Sequence, residues 1–257
     1  MPQKLGQHFL ASPPILERIA SAACPQPIER ILEIGPGQGA LTAKLLNHAG
    51  RVIAVEVDAA MVAHLRERFP GEPRLEVVHA DVLTTDLTRW GQIPVAGNLP
   101  YYITSPIIEK VLRARLPRAV FLIQKEVALR LTASPGSRDY GYLTVHTAFF
   151  GHARRLFDVK PGAFRPPPKV DSTVIAIEPH AVPPAVADPE GFLRFLGQCF
   201  RQKRKTLRNN LIEMYPKAIV EAWPEAAMRA EQIPLERFLE MFLRLPPQAS
   251  AAVRISG

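Results

Sequence analysis

The segment Gly97-Asn98-Leu99-Pro100-Tyr101-Tyr102 holds the groups needed to methylate an exocyclic amine on a nucleic-acid base. The lone pair of such an amine is delocalised into the ring and must be turned toward the incoming methyl group. Two hydrogen-bond acceptors on the amine protons achieve this. The side-chain oxygen of Asn98 can be one. The carbonyl of Leu99 can be the other, because Pro100 biases the residue before it toward extended backbone. Tyr101 offers an aromatic face for a base taken out of its stack. No strong base or metal is required, since alignment and electrostatics carry the rate. Read alone, the same residues would fit a proline-containing turn with a core tyrosine equally well.

Two further groups point to a nucleoside cofactor. Glu33-Ile34-Gly35-Pro36-Gly37-Gln38-Gly39-Ala40 joins an apolar run to a helical pattern. Gly35 and Gly37 would let the backbone turn tightly and approach a ligand. Glu56 follows Gly35 by 21 residues and can accept both ribose hydroxyls. The loop fits a dinucleotide site as G-x-G-x-x-A and an S-adenosylmethionine site as G-x-G-x-G; a ligand-free turn is the bland alternative. Asp81, after a third apolar run, could accept a hydrogen bond from an adenine amine or could cap a helix. Arg201, Lys203, Arg204, Lys205 and Arg208 form a run without an acidic residue. Read as one helix, Arg201, Arg204, Lys205 and Arg208 share a face suited to RNA phosphates, while Lys203 turns toward the apolar side.

These residues must be positioned by alternating strands and helices. Strands are expected at 30–34, 51–57, 75–80, 93–96 and 119–123, with helices at 41–48 and 61–69. Closing strands are expected at 156–159 and 173–178. This pattern implies an α/β domain with a mainly parallel sheet, and ligands at the carboxyl ends of its strands. Eight of the 26 prolines lie between Pro161 and Pro189, and the stretch from Pro179 to Pro189 reads as a linker. Beyond it the pattern is helical. Phe192, Phe195, Leu196, Cys199 and Phe200 share one face, and Leu235, Phe238, Leu239, Phe242 and Leu243 share another. The expected division is a catalytic domain over 1–180 and an all-helical domain over 181–257. The last ten residues read as a tail.

Composition narrows the class. The 257 residues carry a net charge of +8, with 21 basic against 16 acidic residues over 1–180 and 11 against 8 over 181–257. The excess is spread over both parts and favours an anionic partner, nucleic acid before membrane. Cys24 and Cys199 offer no disulfide framework and read as buried thiols. The seven histidines show no metal-binding spacing, so no metal is expected. The N-terminal segment lacks the apolar stretch of a signal peptide, and no apolar run reaches membrane-spanning length, so a cytoplasmic protein is expected.

The chain resembles the small-subunit ribosomal RNA adenine dimethyltransferase family of the bacterial KsgA type. The resemblance rests on Gly6-Gln7-His8-Phe9-Leu10, the glycine loop, Asn98-Leu99-Pro100-Tyr101, the 164–172 segment and the stretch from Phe200 to Leu211. It implies a Rossmann-like methyltransferase domain followed by a small helical one. It also implies S-adenosylmethionine, held by His8, Leu10, Gly35, Gly37, Glu56, Asp81 and Asn98; His8 stands where many relatives carry Asn. Asn98, Leu99, Pro100, Tyr101 and Phe164 would be catalytic, with the Phe164 ring opposite Tyr101 across the target adenine. The substrate implied is two adjacent adenosines in a hairpin loop near the 3′ end of small-subunit rRNA, each receiving two methyl groups within an immature 30S particle, and the enzyme is expected to be a monomer. Three rivals remain open at this point: a large-subunit rRNA methyltransferase, a non-catalytic assembly or transcription factor on the same fold, and a nicotinamide-dependent oxidoreductase.

Overall fold

A computed structural model of the chain describes residues 8–246. The expected contribution of Gly6 and Gln7 and the expected C-terminal tail lie outside the described residues. The chain forms two compact units, residues 1–128 with 151–180, and residues 129–150 with 181–257.

The first unit is built on a sheet of seven strands. Short, near-continuous apolar runs form its centre, as expected for strands covered on both faces. β1 (Phe9–Leu10) and α1 (Pro13–Ala23) come first. β2 (Ile28–Ile34), α2 (Ala40–Leu45), β3 (Ala49–Glu56), α3 (Ala59–Arg68) and β4 (Leu75–His79) follow. Then come β5 (Val95–Asn98), α4 (Thr104–Ala114), β6 (Ala119–Gln124) and α5 (Lys125–Leu131), within which the chain leaves this unit. After α6 (Tyr142–Phe150) it returns as β7 (Gly151–Val159), β8 (Phe164–Arg165) and β9 (Ser172–Pro179).

The strand order is β4-β3-β2-β5-β6-β9-β7. The first five run parallel, and β9 and β7 close the sheet antiparallel. The order reverses at β2, whose neighbours β3 and β5 lie on opposite sides. A crevice therefore opens beyond the carboxyl ends of β2 and β5, where a doubly wound sheet binds ligands. The sequence places Gly35 just after β2, Glu56 and Asn98 at the ends of β3 and β5, and Asp81 two residues beyond β4.

β5 reaches this crevice only because residue 97 is glycine. A Cβ there would stand 2.5 Å from the Ile34 carbonyl of β2 and 3.2 Å from the Leu99 side chain. Backbone cannot yield as a flexible side chain does, so β5 would have to move. Gly97→Ala is expected to destabilise the protein by about 1–3 kcal/mol, the usual cost of overpacking. A urea denaturation series checks it; an unchanged midpoint would show that β5 tolerates the methyl group.

The second unit adds α7 (Pro189–Cys199), α8 (Leu207–Leu211), α9 (Lys217–Glu221) and α10 (Leu235–Leu243) to α6. Phe192, Phe195, Leu196 and Cys199 are buried along one face of α7. The buried face of α10 is set by Phe238, Met241 and Phe242, rotated from the expected stripe, and Leu243 is exposed. The expected boundary also needs correction, because 129–150 falls in this unit. The physical reasons are visible in its contacts. The Phe149 and Phe192 rings lie 4.7 Å apart, the Tyr140 hydroxyl donates to the Ile233 carbonyl at 2.7 Å, and the Gly136 N–H donates to the Glu231 carbonyl at 2.8 Å. Both cysteines are free and buried.

Candidate active site

The loop after β2 turns through left-handed backbone at Gly35, Gly37 and Gly39, with φ of 65°, 54° and 78°. Only glycine adopts these angles without strain. The turn is locked by Glu56 from the neighbouring strand end. One carboxylate oxygen accepts the Gly37 N–H at 3.1 Å, and the other accepts the Val57 and Asp58 N–H groups at 3.0 Å each. An ionised carboxylate has about four lone-pair sites. Glu56 can therefore brace the loop and still accept from a ligand.

Asp81 accepts the Leu83 N–H through one oxygen at 2.8 Å. It is exposed, lines the same cleft, and so combines a local capping role with access to a ligand.

Asn98 ends β5. Its amide nitrogen donates to the His8 carbonyl at 3.1 Å. That bond fixes which way the amide lies and leaves its oxygen as the acceptor. The Leu99 N–H donates to the Leu122 carbonyl at 3.1 Å, which pins the backbone of the next residue to β6. Its side chain is buried, and Pro100 follows with φ −60° and ψ 131°. The Tyr101 hydroxyl is paired with the Ser172 hydroxyl at 2.9 Å, and burial pushes its pKa above the usual tyrosine value. The His8 ring lies 5.8 Å from the Tyr101 ring at 33°. The His8 ring nitrogen Nδ1 is 2.9 Å from the Pro166 carbonyl.

These groups share one cleft of about 1180 Å³, counting the space open to solvent. Every residue assigned above to the cofactor lines it, as do Leu99, Pro100 and Tyr101. Phe164 does not. It is fully buried in the core beneath α1, with Leu16, Ile19 and Ala20 in the same cluster. The reason is β8, which pairs antiparallel with β1 and sets Phe164 opposite Leu10. The expected aromatic partner of Tyr101 is therefore a core residue here, and His8 is the ring beside Tyr101.

The basic run also departs from its expected form. α7 ends at Cys199 and α8 starts at Leu207, so Arg201, Lys203, Arg204 and Lys205 occupy a turn rather than one helical face. Asn210 holds this turn by donating to the Cys199 and Gln202 carbonyls at 2.8 and 3.3 Å, and Thr206 caps α8. Lys203 is exposed and donates to the Arg138 carbonyl at 3.3 Å. Arg208 is engaged by Glu221, at 2.8 Å through Nε.

Sequence reasoning missed Glu33. It is fully buried in β2, lines the cleft, and accepts the Thr42 hydroxyl at 2.6 Å. Burial, opposed by the Thr42 hydrogen bond and reinforced by the nearby Glu56 charge, pushes its carboxyl up to about 8. The available signal was a lone carboxylate inside the apolar run Ile31-Leu32-Glu33-Ile34. Among the described residues, no group of three or more potential ligands could hold a metal ion, and no helix is long and apolar enough to cross a membrane.

A family model described as ribosomal RNA adenine dimethylase matches residues 2–246. The chain belongs to this family.

Curated relatives are similar to the chain over nearly their full length. The protein named ribosomal RNA small subunit methyltransferase A from Acidobacterium capsulatum is 42% identical over 255 residues, covering 94% of this chain and 90% of that one. Its namesake from Thermosynechococcus vestitus is 40% identical, covering 93% and 94%. Among solved structures, a dimethyladenosine transferase from Plasmodium falciparum superposes with a TM-score of 0.77 at 28% identity, covering 92% and 96%. The 23S rRNA methyltransferase ErmE superposes with a TM-score of 0.68 at 32% identity, covering 92% and 99%. The chain is thus a ribosomal RNA methyltransferase on a Rossmann-like fold.

The cleft fits S-adenosylmethionine, the methyl donor of this family. A glycine-cradled backbone suits close approach, and a Cβ on Gly37 would crowd the Phe9 ring at 3.0 Å. Glu56, Asp81 and Asn98 present polar side chains to the same cleft.

Proposed function

We propose that the protein dimethylates the exocyclic amines of two adjacent adenosines in a hairpin loop near the 3′ end of small-subunit rRNA, acting as a cytoplasmic monomer on an immature 30S particle. The observation that carries this reading is the fixed Asn98 amide beside the Leu99-Pro100 backbone, at the rim of a nucleoside-sized cleft.

When bound, S-adenosylmethionine supplies an electrophilic methyl group on a sulfonium sulfur. The chain's own groups then do the rest. The Asn98 oxygen accepts one proton of the adenine amine, and the Leu99 carbonyl accepts the other. With both N–H bonds directed at acceptors, the nitrogen lone pair is drawn out of conjugation with the ring and faces the donor, and the proton the amine sheds on methylation passes to water. Tyr101 holds the base, anchored through Ser172. A reaction of this kind gains from orientation and from oriented dipoles rather than from a strong base. Arg201, Arg204 and Lys205, exposed on the turn after α7, suit phosphate contact. Arg208 would have to exchange Glu221 for a phosphate.

The similarity to a relative named for 23S rRNA supports one alternative, methylation of large-subunit RNA. A labelled methyl donor presented with separated subunits distinguishes the two. The expected result is label in immature small-subunit particles, with mass spectrometry placing two dimethyladenosines side by side. Label confined to the large subunit would replace the proposal with the alternative.

A further inference from the structure

Tyr101 and Tyr102 are consecutive residues on a single 3₁₀ turn, Tyr101–Ile103. With about three residues per turn, neighbouring side chains point roughly a third of a turn apart. Tyr101 is half-buried, tied to Ser172 and beside His8. Tyr102 is 61% exposed, yet lines the same cleft. Val57, the residue after Glu56, is 51% exposed and lines it too. Small-molecule clefts are lined predominantly by apolar and aromatic side chains, and both residues stand in such a lining.

The surroundings of Tyr102 show which ligand. Burial and then the charges of Glu56 and Asp81 hold its hydroxyl in the neutral form, pushing its pKa above the usual tyrosine value. Glu56, Asp81, Val57 and Val82 line the cleft together with Tyr102, while Tyr101 keeps the company of His8 and Ser172. We propose that Tyr102 covers the nucleoside end of the methyl donor, its ring lying against the adenine, with Val57 and Val82 as the apolar wall of the same cleft. Two successive tyrosines then divide the work, one serving the target base and the next serving the donor. Tyr102 is a positioning residue for the donor and carries no chemistry of its own. This inference rests on the donor assignment made above.

Calorimetry on the full chain tests it, with S-adenosylhomocysteine and adenosine as probes. The wild type binds both. Tyr102→Ala weakens both by the same factor, about 5- to 100-fold, in line with loss of one base-aromatic stack. Tyr102→Phe stays within about twofold, since stacking needs the ring and not the hydroxyl. In steady state Tyr102→Ala raises KM for the donor while kcat at saturating donor changes little. Wild type that binds neither probe would defeat the donor assignment itself. Wild type that binds while Tyr102→Ala binds equally well would overturn only the role of Tyr102. A rise in KM confined to the RNA would overturn it as well, and would assign the ring to a nucleotide flanking the target.

Discussion

Asn98→Ala lowers methyl transfer by about a hundred- to a thousandfold, the range typical for deleting one preorganised hydrogen-bonding group that acts on the reacting atoms. Donor binding changes far less. The asymmetry follows from the geometry. The amide is held at the His8 carbonyl, so its oxygen has a defined direction before any substrate arrives. Alanine removes the acceptor and leaves the loop after β2, Glu56 and Asp81 untouched. The amine is then gripped only by the Leu99 carbonyl, and its lone pair stays conjugated with the ring. Asn98→Asp is informative because it keeps an acceptor but loses the donor that fixes the side chain; it should retain partial turnover. Single-turnover kinetics with saturating donor, paired with calorimetry, reads both quantities. Turnover within threefold of wild type for Asn98→Ala would remove this residue from the chemistry.

The second large effect concerns Glu33. Its carboxyl is raised from the ordinary value of 4.5 to about 8 in the folded protein, chiefly by burial. Between those two values the folded chain holds a proton that the unfolded chain has released. The unfolded state binds fewer protons there, so stability falls as pH rises through this window. Each pH unit contributes at most about 1.4 kcal/mol, so raising pH from 5.5 to 7.5 costs about 2–3 kcal/mol at this one site. Glu33→Gln keeps a partner for the Thr42 hydroxyl and removes the titration. Its stability curve should lack that slope, and at pH 7.5 its Tm should exceed the wild type's by about 5–10 °C. Thermal scans of both proteins across pH 5.5–8 check this. Parallel curves would show that Glu33 is ionised throughout the range, held by water or a cation inside the cleft.

The strands of the first unit were legible because each is a short apolar run ending in a polar or glycine residue, and those ends carry the chemistry. Glu56 and Asn98 could be placed at strand ends from their position alone. Phe164 could not be placed, because its burial depends on pairing with Leu10, more than 150 positions away. α6 left no trace in the pattern for a different reason. Six of its nine residues are buried, including Thr144, His146 and Thr147, so it shows no alternation of polar and apolar faces. The turn after α7 was misread as helix because nothing in a run of arginines and lysines signals a break. The break comes from Asn210, whose side chain reaches back to two carbonyls.

The assignment of 129–150 to the second unit has a consequence for how the protein is made and cut. The ribosome releases the chain from its N-terminus, and domains generally fold as units. Residues 129–150 emerge early, but Phe192 and Ile233, which receive Phe149 and Tyr140, are synthesised later. The catalytic unit must therefore close around a loop whose apolar side chains still await their partners. A stop codon placed after His180 would not release a self-contained enzyme. It would leave Tyr140 and Phe149 without Ile233 and Phe192, and the segment prone to self-association. Deletion mapping of RNA binding in this chain is better served by point changes in the 201–205 turn than by truncation.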